Sequence, residues 1–489
     1  MITLQSKMPQ IILGVIASIF LGWLSFQYLT GVSLRLFIVA CICFAAGLLM
    51  FARFRQFFWE KLTLQHFLLT MMIATSFLGS AFFAVSAGPI QLFPYRILLM
   101  FLVIVLFIKC INKDITLQGH FQLPYLYFFL LAWITYSFLA ISWSVELTSA
   151  IKEVITLITG ILITFLVTFL YKKEENYLEF FTVWVVMGLL LIGIGFINHF
   201  LQIHLPISRI NHVYAYQKGI PTSVFVNEND FASFLAITIF FFLSLIKNGR
   251  RMIYQLIGLF GFLSCVYLIL ITESRANYIG VFLGCVFWFI FILRKTDKMK
   301  IVATGLLIAP IIIIDQLHRV KALWEFVKTQ VDSLFIPSQE LSPTTSIDIR
   351  ENLLRNAQIF IENTFGFGVG PGNVEFYMKN TPVYPTHQAY NVHNWWAEIF
   401  VQYGFLIFTG YIIMYLFLFF TLFRIWRLQI RNGNSLISEA LLCGMVAFLF
   451  ASISPNSFMA LNYNWLFTAF LIAYTNYHYK DLSHPGGLQ

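Results

Sequence analysis

The stretch Thr386–Gly410, THQAYNVHNWWAEIFVQYGFLIFTG, sets a histidine and two tryptophans at the mouth of a long apolar run. An imidazole held where water meets lipid can take a proton from a hydroxyl, which suits chemistry on a lipid-borne substrate. His393/Asn394 is one of three polar clusters that open an apolar helix, the others being Asn227/Asn229/Asp230 and Ser274/Arg275. Helix N-termini present unpaired amides and a partial positive charge, which favour phosphate oxygens. Arg275 and Arg350 add planar donors able to grip phosphate with two parallel hydrogen bonds. The ligand this set calls for is a diphosphate.

Each position also has a plainer reading. Arg275 can snorkel beside Glu273, Asn227 and Asp230 can cap a helix, and His393 can be an interfacial ring next to Trp395 and Trp396. Arg355 follows Glu351 by four residues on one helix face, which favours a local ion pair, whereas Arg350 has no acid three or four residues away. His387, His212 and His204 are loop residues with weaker claims. The run GFGVGPGN at 366–373 superficially matches a dinucleotide loop, but no strand precedes it and Pro371 interrupts it, so it reads as a tight turn near lipid headgroups.

The elements that must position these residues are helices in a membrane. With 59% hydrophobic and 11% charged residues, 55 Phe and a mean hydropathy of +0.80, the chain has more apolar surface than a soluble core absorbs. Apolar runs of about 17–25 residues recur, each long enough to cross a hydrocarbon layer of roughly 30 Å. The sequence predicts an all-α polytopic membrane protein of about 12–14 spans: 11–29, 32–51, 65–86, 92–109, 121–141, 153–171, 178–200, 229–246, 252–271, 275–293, 300–316, 394–423, 435–454 and 461–477. The first run reads as a retained span rather than a cleaved signal peptide. The six cysteines, Cys41, Cys43, Cys110, Cys265, Cys285 and Cys443, form no spaced CxxC pair and read as packing residues.

A net charge of +9 would point to nucleic acid in a soluble protein, but here the basic residues follow the loops. Arg53/Arg55/Lys61, Lys109/Lys113, Lys172/Lys173, Lys247/Arg250/Arg251, Arg294/Lys295/Lys298/Lys300 and Arg424/Arg427/Arg431 occupy every second connection. The positive-inside rule makes these loops and both termini cytoplasmic. The polar clusters and the long segment 317–393 then lie outside the cell, and no nucleic-acid partner is expected. Within that segment Val320, Leu323, Trp324, Val327, Val331 and Leu334 recur at helical spacing, which predicts an amphipathic helix on the outer leaflet. Asp348, with Glu351 three residues on, predicts the start of a second helix. The expected organisation is N-terminal spans at 1–120, core spans at 121–316, the large extracytoplasmic loop at 317–393 and C-terminal spans with a short tail at 394–489.

The order of the motifs carries a resemblance. VFVNENDFASFLAI (224–237), ITESRANYIGV (271–281), IRENLLRNAQIFIENTFGFGVGPGN (349–373) and HNWWAEIFVQYGFLIFTG (393–410) together resemble the O-antigen ligase/polymerase family of membrane glycosyltransferases. Asn227 with Asn229, Arg275 with Ile279, Arg350 before Gly368/Gly370/Gly372, and His393 with Gly404 match the family's pattern in its order. Glu228 departs from it, standing where the family tends to have a small residue or proline. Ser142, Trp143 and Ser144 resemble the family's first external loop, and composition and length are most similar to members that polymerise teichuronic acid repeats in Gram-positive bacilli.

The resemblance implies a glycan polymerase at the outer face of the cell membrane. Donor and acceptor are glycans on polyprenyl diphosphate, His393 is the base, and Arg275 and Arg350 hold the diphosphate. Asn227, Asn229, Asp230, Asn394 and Arg355 are further candidates for substrate contact. A flippase and chain-length or wall-attachment proteins are the implied partners. No DxD motif occurs, so neither metal nor cofactor is expected. Two alternatives stay open: a ligase that moves finished glycan to another acceptor, and an exporter. The exporter fits less well, because the span centres hold no Asp, Glu, Lys or Arg and the polar clusters gather at one face.

Overall fold

The computed structural model describes residues 63–300 and 346–483, apart from 83, 88–89, 114–119, 433–434 and 456. The expected spans 11–29 and 32–51, nearly all of 300–316, and the amphipathic segment 320–334 lie outside these residues. The described chain is helical apart from one small hairpin. In order it forms α1 (Leu64–Ser76), β1 (Val85–Ala87), β2 (Ile90–Leu92), α2 (Pro94–Ile111), α3 (Pro124–Ala140), α4 (Leu147–Leu170) and α5 (Glu174–Leu201). These are followed by α6 (Glu228–Asn248), α7 (Met252–Ile271), α8 (Arg275–Phe287), α9 (Ser346–Asn363), α10 (Val374–Asn380), α11 (Trp395–Asn432), α12 (Leu436–Ala451) and α13 (Asn462–Ser483).

Among the described residues eight helices are long and apolar enough to cross a membrane: α2 to α7, α8 with the π-turn that extends it to Ile292, and α11. The chain is therefore an all-α polytopic membrane protein. Local chemistry sets several boundaries. Pro94 and Pro124 open α2 and α3, where a missing N–H costs nothing. Asn227 caps α6 by accepting the Asp230 amide at 2.9 Å.

Two expectations change. The run 65–86 is not one span: α1 stops at Ser76 after 13 residues, too short at 1.5 Å per residue to cross. Gly79 then turns the chain with a left-handed φ of 54° into the antiparallel hairpin, in which Val85 faces Leu92. The second helix of the loop begins at Ser346, so Asp348 sits in its first turn instead of capping it.

Helix α6 is the centre of the bundle, with Phe231 to Leu245 buried throughout and α5, α7, α8 and α12 packed around it. Where its basic end meets α12, Glu439 is buried and bound by Lys247, by Asn248 Nδ2 at 2.7 Å, by Ser435 Oγ at 2.9 Å and by Trp426 Nε1 at 3.3 Å. A second, smaller core joins the loop helices to the bundle, with Leu353, Phe360, Val374 and Met378 packed on Val392 and Val401.

Candidate active site

The polar openings of α6, α8 and α11 lie at the end of the bundle opposite Glu439. Each is preceded by a residue other than glycine in the left-handed region: Ser223 (φ 51°), Glu273 (φ 53°) and His393 (φ 51°). Such a conformation costs about 1–3 kcal/mol and persists only where its surroundings hold it. Here the holding network is visible. Asn229 Oδ1 accepts from Ser274 Oγ at 2.9 Å and from Ser454 Oγ at 2.8 Å, while Asn277 Nδ2 donates to Ser274 Oγ at 2.9 Å. The loop after α12 is thus pinned between α6 and α8.

That loop orients the histidine. The backbone of Ser454 and Pro455 lies against the His393 ring and favours its protonated form, and Trp395 N donates to Ser452 O at 3.0 Å. Among the described residues the Nδ1 atom is buried without a hydrogen-bond partner. Burial, reinforced by the positive charge of Arg350, pushes its pKa down to about 4. At neutral pH the ring is an uncharged proton acceptor.

Arg350, on α9, lies within electrostatic reach of both His393 and Arg275. Burial and the neighbouring Arg275 guanidinium lower its pKa. Among the described residues neither arginine forms an ion pair, and Arg275 does not pair with Glu273. Two like charges near each other and outside any ion pair are suited to an anion.

The remaining residues predicted from the sequence separate from this group. Asn227 is a helix cap, Asn229 is the node of the network above, and Asn394 caps α11 through the amides of Trp396 (3.0 Å) and Ala397 (3.3 Å). Arg355 is half exposed, pairs with Glu351 at 2.6 Å and lies over the Tyr384 ring. Sequence reasoning missed Arg209, which grips Glu228 with both arms of its guanidinium, one at 2.8 Å, and adds positive charge near His393. The signal was Glu228 itself, an acid at a helix opening that needs a cation to be buried.

A break in α11 sets the distance between α9 and His393. Gly404 has φ 74° and ψ −174°, and a Cβ there would fall against the Gly366 carbonyl oxygen. The freed backbone receives the glycine-rich turn: Val369 N donates to Val401 O at 2.9 Å, Gly370 N to Gln402 O at 3.0 Å, and Phe405 N to Gly366 O at 2.8 Å. A Cβ on Gly368 would lie 2.6 Å from Gln402 O, so this docking admits only glycine. Trp143 Nε1 donates to Gly368 O at 3.1 Å, which ties the Ser142–Trp143–Ser144 loop to the same joint. One side of the turn is therefore built into the protein, while Phe365 and Phe367 stay exposed at its tip. Because the turn ends the segment begun by α9 and docks on the part of α11 that follows His393, it holds Arg350 near the imidazole.

Below the joint, Gln402 Oε1 accepts Gly372 N at 2.8 Å and its Nε2 faces Glu153 at 3.3 Å and Glu398 at 3.5 Å. Glu398 is buried and also binds Ser457 Oγ at 2.6 Å and Phe458 N at 3.0 Å. Glu398 thus braces the loop that holds His393 from the opposite side.

A sequence model described as O-antigen ligase matches residues 259–412, the stretch that carries Arg275, Arg350, the glycine turn and His393. Over 415 residues the chain is 34% identical to the teichuronic acid biosynthesis protein TuaE of Bacillus subtilis (strain 168), an alignment covering 83% of each. A likeness of that depth over most of both chains, with the matched stretch falling on the residues gathered at one end of the bundle, makes this chain a member of the O-antigen ligase family.

Proposed function

We propose that the protein polymerises glycan repeat units carried on polyprenyl diphosphate at the outer face of the cytoplasmic membrane, for a wall polysaccharide of the teichuronic acid type. The observation that carries this reading is Arg350 set beside both a neutral His393 and a second guanidinium, Arg275, with neither arginine in an ion pair among the described residues. His393 Nδ1 takes the proton of an acceptor sugar hydroxyl, and that oxygen bonds to the anomeric carbon of the donor. The bond from this carbon to the diphosphate breaks, and its electron pair leaves with the lipid diphosphate. Arg275 and Arg350 hold the departing group and stabilise the charge it gains. The buried imidazolium then gives its proton to water or to the departing diphosphate. Arginines supply the neutralising charge, so no metal is required and EDTA leaves the rate unchanged.

The relative's name supports teichuronic acid as the polymer class. A flippase delivers the lipid-linked repeats, and chain-length or wall-attachment proteins receive the product. The outer location follows from the basic loops at the opposite helix ends. A cysteine at Lys379 reacts with a membrane-impermeant thiol reagent in wall-stripped cells and one at Lys298 does not; the reverse pattern overturns the orientation.

The deciding experiment is removal of the protein, followed by analysis of the lipid-linked glycans that accumulate. Single repeats identify a polymerase. Finished polymer retained on lipid identifies a ligase and refutes the reading.

A further inference from the structure

A cavity of about 620 Å³ opens beside the active site, between the end of α1, the starts of α2 and α4 and the loops before α6 and α13. Its volume falls in the range of small-ligand pockets, roughly 300–1,000 Å³. The diphosphate chemistry above leaves it unused. Yet it shares walls with the active site: Ser457, which donates to Glu398, lines it, and so does Asp230, which lies near the Arg209 guanidinium.

Its lining has a definite charge. Arg96 and Lys152 supply two cations and Asp230 one anion, a net of one positive charge. Arg96 is held in place by neutral groups: its Nε donates to Tyr95 OH at 3.0 Å, its Nη1 to Gln91 O at 2.8 Å, and it lies over the Phe93 ring at 5.0 Å. Among the described residues neither Arg96 nor Lys152 forms an ion pair. Hydroxyl and amide side chains such as Thr156, Ser457 and Asn462 line the rest, with aromatic rings from Phe93 and Tyr463. Hydroxyl partners, ring faces and one surplus positive charge match a sugar that carries a single carboxylate. A diphosphate, with at least two negative charges, matches the arginine pair better.

We propose that this cavity is the acceptor subsite and that Arg96 and Lys152 bind the carboxylate of an acidic sugar at the growing end of the acceptor glycan. The assignment rests on the polymerase reading and extends it to substrate specificity. Bound there, the acceptor presents its hydroxyl across the Asp230–Ser457 wall to His393. Lys152 and Arg96 set acceptor affinity and take no part in proton transfer.

The test uses the full-length protein in proteoliposomes with a lipid-linked donor and, as acceptor, a lipid-free repeat oligosaccharide bearing a uronate. A second acceptor is the same oligosaccharide with its carboxylate reduced to the alcohol. Lys152→Gln is expected to raise the KM for the uronate acceptor about tenfold at little cost in kcat, the loss of one charge-assisted contact. Lys152→Arg restores it, Arg96→Gln gives the same split, and the reduced acceptor shows no difference between variant and wild type. Equal KM in wild type and both glutamine variants overturns the assignment. So does a dependence on Lys152 that appears only with lipid-linked acceptor, which would make phosphate the recognised anion. If wild type itself forms no product from these substrates, the polymerase reading has failed instead.

Discussion

Two polar clusters occupy opposite ends of the same bundle, and they differ in how completely they are satisfied. At the basic end Glu439 is buried, paired with Lys247 and surrounded by donors from Asn248, Ser435 and Trp426. At the other end, among the described residues, Arg275 and Arg350 stand near each other with no ion pair, and His393 keeps a ring nitrogen with no hydrogen-bond partner. The first cluster closes on itself and fastens α6 to α12. The second is left one anion short and one proton donor short, which in the proposed reaction are the lipid diphosphate and the sugar hydroxyl. Buried charge by itself therefore marks nothing; the unmet part of it marks the site.

The largest effect that separates the clusters is expected at His393. His393→Gln keeps polarity and approximate size, so it should fold and bind substrate yet lower turnover by roughly 10²–10⁴, the usual contribution of a general base. A variant polymerising at near wild-type rate in a reconstituted assay would reduce His393 to a packing ring and move the search to Glu398. The wild-type pH profile sharpens the same point. In kcat/KM, which reports the free protein, the acid limb should lie near the His393 value of about 4. In kcat it should move upward, because bound diphosphate offsets the Arg350 charge that disfavours the imidazolium.

Next in size are Arg275→Lys and Arg350→Lys. Each keeps the charge and loses the planar fork, and kcat/KM should fall about 10–100-fold. Full activity for either lysine variant would show that charge alone suffices there. At the saturated cluster Glu439→Gln should leave turnover per folded molecule unchanged while thermal inactivation shifts down by roughly 5 °C, since Lys247 loses its buried partner. A loss of turnover without a loss of stability would erase the distinction between the two ends. The smallest effect belongs to Arg355→Lys, within about twofold of wild type, because an exposed pair with Glu351 asks only for a nearby positive charge.

What the amino-acid sequence determined by itself is what depends on neighbours within a few turns of helix. Hydropathy placed the helices from α2 to α8 and from α11 to α13, though α4 begins six residues before its expected start and α11 and α13 run nine and six residues past their expected ends, and four-residue spacing disclosed the Glu351–Arg355 pair. The shortness of α1 was hidden, because an apolar run reads alike whether it continues as helix or turns at Gly79 into a hairpin. In the site, residue types and helix openings pointed to His393, Arg275 and Arg350, but nothing local could say which polar residues would meet. Only the tertiary structure decided that Arg209 neutralises Glu228, that Asn229 binds Ser274 and Ser454, and that the turn after α9 docks in the break at Gly404. Those contacts join segments far apart in the chain. Their partners are chosen by how helices pack and where loops close, and that choice is a property of the whole bundle that no short window of sequence contains.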